Sequence, residues 1–219
     1  TTCKMKVLVH AELGGGVSEW KGVSGIDGMG VGEFVEWYTR NGGTLRHSLL
    51  SGNYLPQGIK FVEITKPNGG LCKLCISTII DRVIQQAIAQ VLSPIYEKTF
   101  SDYSYGFRPK RNDRQAVRKA SEYVVMGREI VVDIDLKNFF DVINHDRLMY
   151  RLSETIGDKV LLKLIRRYLR SGIMADGVLN QCTEGTLQGS PLSPLLSNIV
   201  LDEPDKELEK RGTLFCSIC

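Results

Sequence analysis

Residues 129–141 read EIVVDIDLKNFFD, and their alternation of side chains is typical of a β-strand that ends in a turn. On such a strand Asp133 and Asp135 share one face, about 6–7 Å apart, because side chains alternate with a period of two. Carboxylate oxygens of this kind hold Mg²⁺, and an aromatic pair, Phe139-Phe140, follows within five residues. The segment therefore predicts a metal-assisted site beside an aromatic wall.

Three other interpretations of this segment compete with that one. An acidic strand end can simply be solvated. A calcium loop needs oxygen-bearing side chains in a regular spacing with a glycine, and Lys137 and Asn138 interrupt that pattern. A phosphotransferase of the haloacid-dehalogenase type would use Asp133 as nucleophile and Asp135 as acid, but its motif has Thr or Val where Lys137 stands. That last class is the most distant rival.

The residues before this segment predict a hairpin between two helices. Alternating side chains indicate strands at 59–64 and 71–76, and the turn between them, KPNGG, begins with Lys66. An amphipathic helix is expected over 31–50, broken by Asn41-Gly42-Gly43. A second helix should open at Thr78, which is followed by Asp81, and should end at Pro94.

Further helices are expected at 114–126, at 158–170 and from Ser193-Pro194 onward, where a cap is followed by a proline. Pro204 lies inside the last of them. Because an interior proline removes a backbone hydrogen bond and costs about 3 kcal/mol, a kink or an early stop is expected there.

Composition restricts the class of protein. The chain has 219 residues, 42% of them hydrophobic, and a net charge of +3, so it can bury a core and carries only a weak overall attraction for polyanions. No run of about eighteen apolar residues and no signal pattern occurs, so membrane insertion and secretion are not expected. A cytosolic protein is expected instead.

A basic cluster lies between Arg108 and Lys119, where six basic residues accompany one acid. Such a cluster suits contact with phosphates, although a solvated helix face has the same composition. Two Cys-x-x-Cys pairs, at 72–75 and 216–219, have the spacing of zinc knuckles. They are too far apart in the chain for a compact zinc module, so ordinary reduced thiols are the favoured interpretation.

Four blocks, taken in order, identify a resemblance. They are IQQAIAQVLSPIYEKTFSDYSYGF at 84–107, SYGFRPKR at 104–111, VVDIDLKNFFDVINHDRLM at 131–149 and TLQGSPLSPLLSNIVLDE at 186–203. Together they resemble the reverse transcriptases that bacterial and organellar group II introns encode, over roughly residues 22–216.

The resemblance implies roles for residues in the acidic segment. Asp135 would be the first catalytic aspartate and a metal ligand, with the backbone carbonyl of Leu136 as a second ligand. Asp133 is a further candidate ligand, although a supporting role is favoured for it. Phe140 would stack beneath the deoxyribose of the incoming nucleotide, and Phe139 would pack in the core. The implied cofactor is Mg²⁺, with Mn²⁺ as an alternative.

The resemblance also implies nucleotide contacts outside that segment. Lys66 would reach the triphosphate, and Gln188 and Gly189 would form the loop beneath the templating base pair. Relatives carry arginine where this chain has Cys72, glycine at Cys75 and proline at Ser77. The loss of that arginine removes a planar cation, so weaker triphosphate binding is expected.

The implied fold is α+β with the right-hand architecture of polymerases, comprising fingers and an incomplete palm with an antiparallel sheet. Residues 1–21 are expected to form a divergent arm, residues 22–128 the fingers, and residues 129–219 part of the palm, with fingers-side helices at about 157–172. FCSIC at 215–219 aligns with the start of the family's FCxYADD strand, with Ile218 in place of the tyrosine. The chain is therefore expected to stop before the second aspartate pair.

The expected function is an RNA-directed DNA polymerase fragment that is inactive alone, since two-metal transfer needs the further carboxylates. Its partners would be an RNA template, a DNA primer, deoxynucleoside triphosphates and intron RNA, with no membrane. The alternative is an intron RNA-binding (maturase) module without polymerase activity, for which the candidate contacts are Arg108, Lys110, Arg111 and Arg114. A decayed product with no role is a third possibility.

Overall fold

A computed structural model describes residues 23–65, 71–175, 178–180 and 182–218. The arm expected at residues 1–21 and the hairpin residue Lys66 lie outside the described residues. Within the described ranges, no helix is long and apolar enough to cross a membrane.

Helix α1 spans Val31–Leu50 without interruption. The expected break at Asn41-Gly42-Gly43 is therefore wrong. Gly42 is buried, and a methyl group added to it would lie 3.1 Å from the ring of Tyr38 one turn earlier. The glycine is retained inside the helix because it gives that ring room to lie against the helix, and the ring in turn stacks on Phe34.

Strands β1 (Ile59–Thr65) and β2 (Leu71–Ile76) pair antiparallel, which confirms the expected hairpin. Two short strands, β3 (Ile173–Ala175) and β4 (Val178–Asn180), extend the sheet in the order β2-β1-β3-β4. The pairing of β1 with β3 is parallel, so the sheet is mixed rather than antiparallel. The sheet thus joins the predicted fingers hairpin to a segment more than a hundred residues later in the chain.

Helix α2 (Ile79–Tyr96) begins as expected, with the Thr78 side chain accepting a hydrogen bond from the amide of Asp81. It continues two residues beyond Pro94, which was expected to end it. A proline in the last turn removes only one backbone bond, and Leu92 and Tyr96 on either side of it are buried in the core. Packing therefore carries the helix past the proline.

Helix α3 (Asp113–Val125) has a reciprocal cap between Asn112 and Gln115 and is followed by Gly127 at a φ of +88°. These features match the predicted helix at 114–126. Only Ala116 of the helix is buried, whereas Val117 and Val124 are more than half exposed. The helix therefore forms from its local sequence signals more than from packing.

Residues 129–136, predicted to form a β-strand, lie in no strand. Their apolar side chains are exposed: Ile130 to 90%, Val132 to 77% and Ile134 to 73%. The alternating pattern is present, but a strand also needs a neighbour to accept and donate its backbone hydrogen bonds, and no strand of the described residues runs beside this segment. The prediction of a palm strand within this structure is therefore wrong.

The main core is formed by three helices after this segment, which pack with α1 and α2. They are α4 (His145–Thr155), α5 (Lys159–Leu169) and α6 (Ser193–Lys210). Helix α5 confirms the prediction at 158–170, with Asp158 capping its first turn. Arg147 and Arg151 of α4 both pair with Glu203 of α6.

Pro204 does not end α6, because the helix continues to Lys210. That part of the sequence prediction is wrong. Buried residues flank the proline on both sides, with Ile199 and Asp202 before it and Asp205 after it. Anchoring of both halves against the rest of the protein offsets the single backbone hydrogen bond that the proline cannot donate.

Candidate functional site

The Phe140 turn, residues 138–143, forms the first part of the candidate site. Asn138 has a left-handed backbone, with φ +54°, and Phe139–Asp141 form one turn of 3₁₀-helix. Asparagine tolerates this conformation better than most residues. Phe139 packs against the main core, as predicted, and contacts the half-buried Phe140 edge-on, with ring centroids 5.9 Å apart.

The two carboxylates of the acidic segment lie on the surface. Asp133 and Asp135 are exposed, and the Leu136 carbonyl accepts a hydrogen bond of 3.2 Å from the amide of Phe139. Across the described parts of the chain, no three His, Cys, Asp or Glu side chains are grouped so that they could hold a metal ion. These residues alone do not fit the two-metal centre that the resemblance implies.

The QGS loop, residues 188–190, forms the second part of the site. Gly189 has a φ of +95°, a conformation that favours glycine, and the Gln188 side chain is exposed. The loop is anchored from below, since the Ser190 hydroxyl donates to the buried Gln85 of α2 at 2.6 Å and the Ser193 hydroxyl donates to the Leu187 carbonyl at 2.8 Å. Its exposed face is thereby left available for a ligand.

Backbone hydrogen bonds bring three distant segments together. The amide of Cys75 in β2 donates to the Gln188 carbonyl at 3.2 Å, and the amide of Thr186 donates to the Phe140 carbonyl at 2.6 Å. The β1–β2 hairpin, the Phe140 turn and the QGS loop are therefore joined at one place. These are segments that the sequence analysis assigned to nucleotide binding.

Cys75 packs with Ile59 and Leu187 in a small second core beneath this junction, with Cys182 at its edge. Burial raises the pKa of the Cys75 thiol to about 11 and also raises the pKa of Cys182. Both therefore stay protonated at neutral pH and act as small apolar groups. Cys72 has its backbone paired with Ile64 in the hairpin.

The four basic residues predicted to bind RNA lie in different surroundings. Arg108 is buried, and its guanidinium pairs with Glu97 at 2.7 Å, donates to the Ser104 carbonyl and lies 5.4 Å from the centre of the Phe100 ring. Arg111 pairs with Asp102 at 2.8 Å. Lys110 and Arg114 are exposed.

The last described residues lie beside the SYGF block. Ser217 forms a parallel bridge with Ser104, accepts a hydrogen bond from the amide of Tyr105 at 2.9 Å and donates its own amide to Tyr103 at the same distance. The Phe215 ring meets the Tyr103 ring edge-on. The segment expected to begin a strand thus forms a single bridge in this structure.

Several residues that organise the site gave no signal in the sequence analysis. Gly185 and Thr186 contact the Phe140 turn, His145 contacts Gly185, and Gln85 supports the QGS loop. Gln85 is a polar residue of α2 that is nevertheless buried. The partners of these residues are remote in sequence and cannot be predicted from spacing.

Comparison with known families gives one match that covers most of the chain. The profile described as "Reverse transcriptase (RNA-dependent DNA polymerase)" matches residues 64–218.

Individual relatives agree with that match. Protein YkfC of Escherichia coli K12 is 37% identical over 171 residues, which are 76% of this chain and 45% of YkfC. The group II intron-encoded protein LtrA of Lactococcus lactis is 38% identical over 160 residues, which are 73% of this chain and 26% of LtrA. The chain therefore spans less than half the length of these relatives.

Among solved structures, a chain of the partial Cas6-RT-Cas1–Cas2 complex is similar. It superposes with a TM-score of 0.55 at 27% sequence identity, covering 80% of this chain and 30% of the other.

Proposed function

Because this chain belongs to the reverse transcriptase (RNA-dependent DNA polymerase) family, we propose that it supplies the nucleotide-contacting surface of an RNA-directed DNA polymerase of a group II intron protein. The observation that carries the proposal is the junction at which the amide of Cys75 meets the Gln188 carbonyl and the amide of Thr186 meets the Phe140 carbonyl. It joins the parts that would contact the triphosphate, the sugar and the template.

In this proposal the sequence divides as in a right-handed polymerase. Residues 22–128 correspond to the fingers and residues 129–219 to part of the palm, including α5. Phe140 lies beneath the deoxyribose, and Gln188 and Gly189 lie beneath the templating pair. Lys66 would bind the triphosphate from the hairpin bend.

A binding measurement tests this assignment without requiring catalysis. The 219-residue chain is titrated into a fluorescent RNA–DNA template–primer duplex, and anisotropy gives its dissociation constant. Gln188→Ala should weaken binding about five-fold, as expected for one lost hydrogen bond of about 1 kcal/mol. Gln90→Ala, on the exposed side of α2, is the matched control. Equal binding by both variants would contradict the assignment.

We further propose that these 219 residues do not polymerise DNA on their own. Asp135, with Asp133 and the Leu136 carbonyl, would contribute to a Mg²⁺ site, but two-metal transfer requires additional carboxylates. Primer extension on an RNA template with Mg²⁺ or Mn²⁺ should give no product. A product that Asp135→Ala abolishes would overturn this proposal.

A second function, binding of structured intron RNA, is favoured by the basic surface at the start of α3. Lys110, Arg114 and Arg118 are exposed there, and none of the ion pairs among the described residues involves them. Phosphate contacts by such residues release counterions, so affinity should fall steeply with salt. RNA binding of this kind does not require the metal centre.

The contrast between two arginines tests this second function. Arg114→Ala should weaken RNA binding and flatten its salt dependence by about one unit of log–log slope, with the melting temperature unchanged. Arg108→Ala should instead lower stability by about 3–5 kcal/mol, because it leaves the partly buried Glu97 without its partner. Binding that is indifferent to Arg114→Ala would rule out this contact.

A further inference from the structure

His145, the first residue of α4, donates a hydrogen bond to a remote loop. The residue is 4% exposed, and its Nε2 lies 2.7 Å from the carbonyl oxygen of Gly185. A carbonyl can only accept, and Nδ1 is buried with no partner among the described residues. The arrangement therefore assigns the imidazole proton to Nε2.

Gly185 is held against the Phe140 turn so closely that only glycine fits. Its φ is +84°, and a methyl group added to it would lie 2.7 Å from the Asp141 carbonyl oxygen and 2.9 Å from that of Phe140. Both obstacles are backbone atoms, which cannot rotate away as a side chain can. Any larger residue here must displace the turn.

Two backbone hydrogen bonds complete the contact. The amide of Gly185 donates to the Ile143 carbonyl at 2.8 Å, and the amide of Thr186 donates to the Phe140 carbonyl at 2.6 Å. Phe140 is thus bonded through its own backbone to the segment that leads, two residues later, into Gln188. Displacement of Gly185 would move the aromatic ring and the QGS loop relative to each other.

We propose that His145 and Gly185 are positioning residues that fix the Phe140 ring relative to the Gln188–Gly189 loop. The inference rests on the proposed function, in which the Phe140 ring contacts the sugar and the Gln188–Gly189 loop contacts the templating pair. His145 holds the carbonyl of Gly185, and Gly185 permits the close approach of the backbones. Neither residue contacts the nucleotide.

Fluorine NMR of the 219-residue chain labelled with 4-fluorophenylalanine tests the proposal directly. The chain has seven phenylalanines, and the Phe140→Leu spectrum identifies the resonance of Phe140. Gly185→Ala and His145→Leu should shift or broaden this resonance while leaving that of Phe34, in the main core, unchanged. His145→Gln, whose amide can donate from a similar position, should restore the original spectrum.

Matched controls separate positioning from general damage. Gly127→Ala introduces a methyl group at a similar φ, +88°, but into open space, and His47→Leu removes an exposed imidazole. Both should leave the Phe140 resonance in place. Gly185→Ala could instead unfold the chain, and all seven resonances would then take the pattern of an unfolded protein. In that case the comparison of His145→Leu with His145→Gln tests the positioning role.

An unchanged Phe140 resonance in His145→Leu, or a shifted one that His145→Gln fails to restore, would overturn the proposal. The fluorine signal reports ring position whether or not a nucleotide binds. Failure of template–primer binding by the unmodified chain would therefore count against the proposed function and leave this result standing.

Discussion

At the scale of single residues, buried polar side chains join segments whose association the sequence does not reveal. Asp81 is 1% exposed as a residue. Its carboxylate accepts hydrogen bonds from Tyr54 at 2.8 Å, the amide of Gln57 at 3.0 Å, Thr78 at 2.9 Å and Tyr168 at 3.0 Å. Burial raises the pKa of both tyrosines, so both remain donors. One carboxylate therefore ties the β1 approach, α2 and α5 together.

The Asp81 network predicts a pH-dependent stability. Burial raises the pKa of this carboxyl, although its four hydrogen bonds oppose the shift, so the folded state holds the proton more tightly than the unfolded chain. The stabilising contribution is full below the unfolded pKa of about 3.9 and declines as the pH rises above it. The stability difference between the unmodified chain and Asp81→Asn, measured by urea unfolding, should therefore shrink from about pH 4 upward.

The control for that measurement is Asp146→Asn, whose carboxylate is largely exposed beside Arg166. It should show little effect at any pH, because surface ion pairs contribute about 0–1 kcal/mol. A stability difference for Asp81→Asn that grows with pH would mean that the folded state lowers the pKa of this carboxyl, contrary to the prediction.

Arg108 shows why residue type alone misleads about function. In the sequence it belongs to a basic cluster, and the cluster suggests phosphate contacts. In the structure Arg108 forms an ion pair with Glu97, eleven residues earlier. Its guanidinium is buried there and does not face the solvent. Sequence spacing does not show that Glu97, the residue directly after α2, lies where its carboxylate can meet this arginine.

At the scale of elements, local signals predicted the hairpin and several helices. The helix breaks predicted at interior glycines and prolines were wrong. Gly42 and Pro204 each sit inside a continuous helix. Both are tolerated because the helices are anchored by buried residues on each side, and sequence propensity contains no information about that anchoring.

Pro204 gives a prediction at this scale. Pro204→Ala restores an amide that can donate within α6, so it should raise the free energy of unfolding by about 1–3 kcal/mol. Pro194→Ala is the matched control, since Pro194 lies in the first turn, where no intrahelical partner awaits its amide. Urea denaturation of both variants makes the comparison. Equal effects would show that the interior proline is not strained.

The acidic segment gives a second prediction for an element. Residues 129–136 have the pattern of a strand but no pairing among the described residues, so their amides should exchange hydrogen rapidly, whereas those of α2 should be protected. Hydrogen exchange followed by mass spectrometry distinguishes the two segments. Protection of 129–136 equal to that of α2 would mean that the segment finds a partner strand.

At the scale of the whole molecule, the order of the four sequence blocks predicted the family. In the structure these blocks are held in place by the helical core and the β1–β2 hairpin. The sequence could not predict that the parts meet through backbone hydrogen bonds, as between Cys75 and Gln188 and between Thr186 and Phe140. Backbone groups carry no sequence signature. The metal centre is the part of the site for which the described residues are insufficient.

Photocrosslinking to a template–primer duplex tests the central claim most directly. A photoreactive base is placed at the templating position or at the primer 3′ end, and the crosslinked peptides are identified by mass spectrometry. Crosslinks should fall on the peptides that contain residues 138–143 and 187–190, and they should vanish when the label is moved about one helical turn away. Crosslinks confined to α3, or unaffected by the position of the label, would contradict the claim that this surface holds the nucleotide.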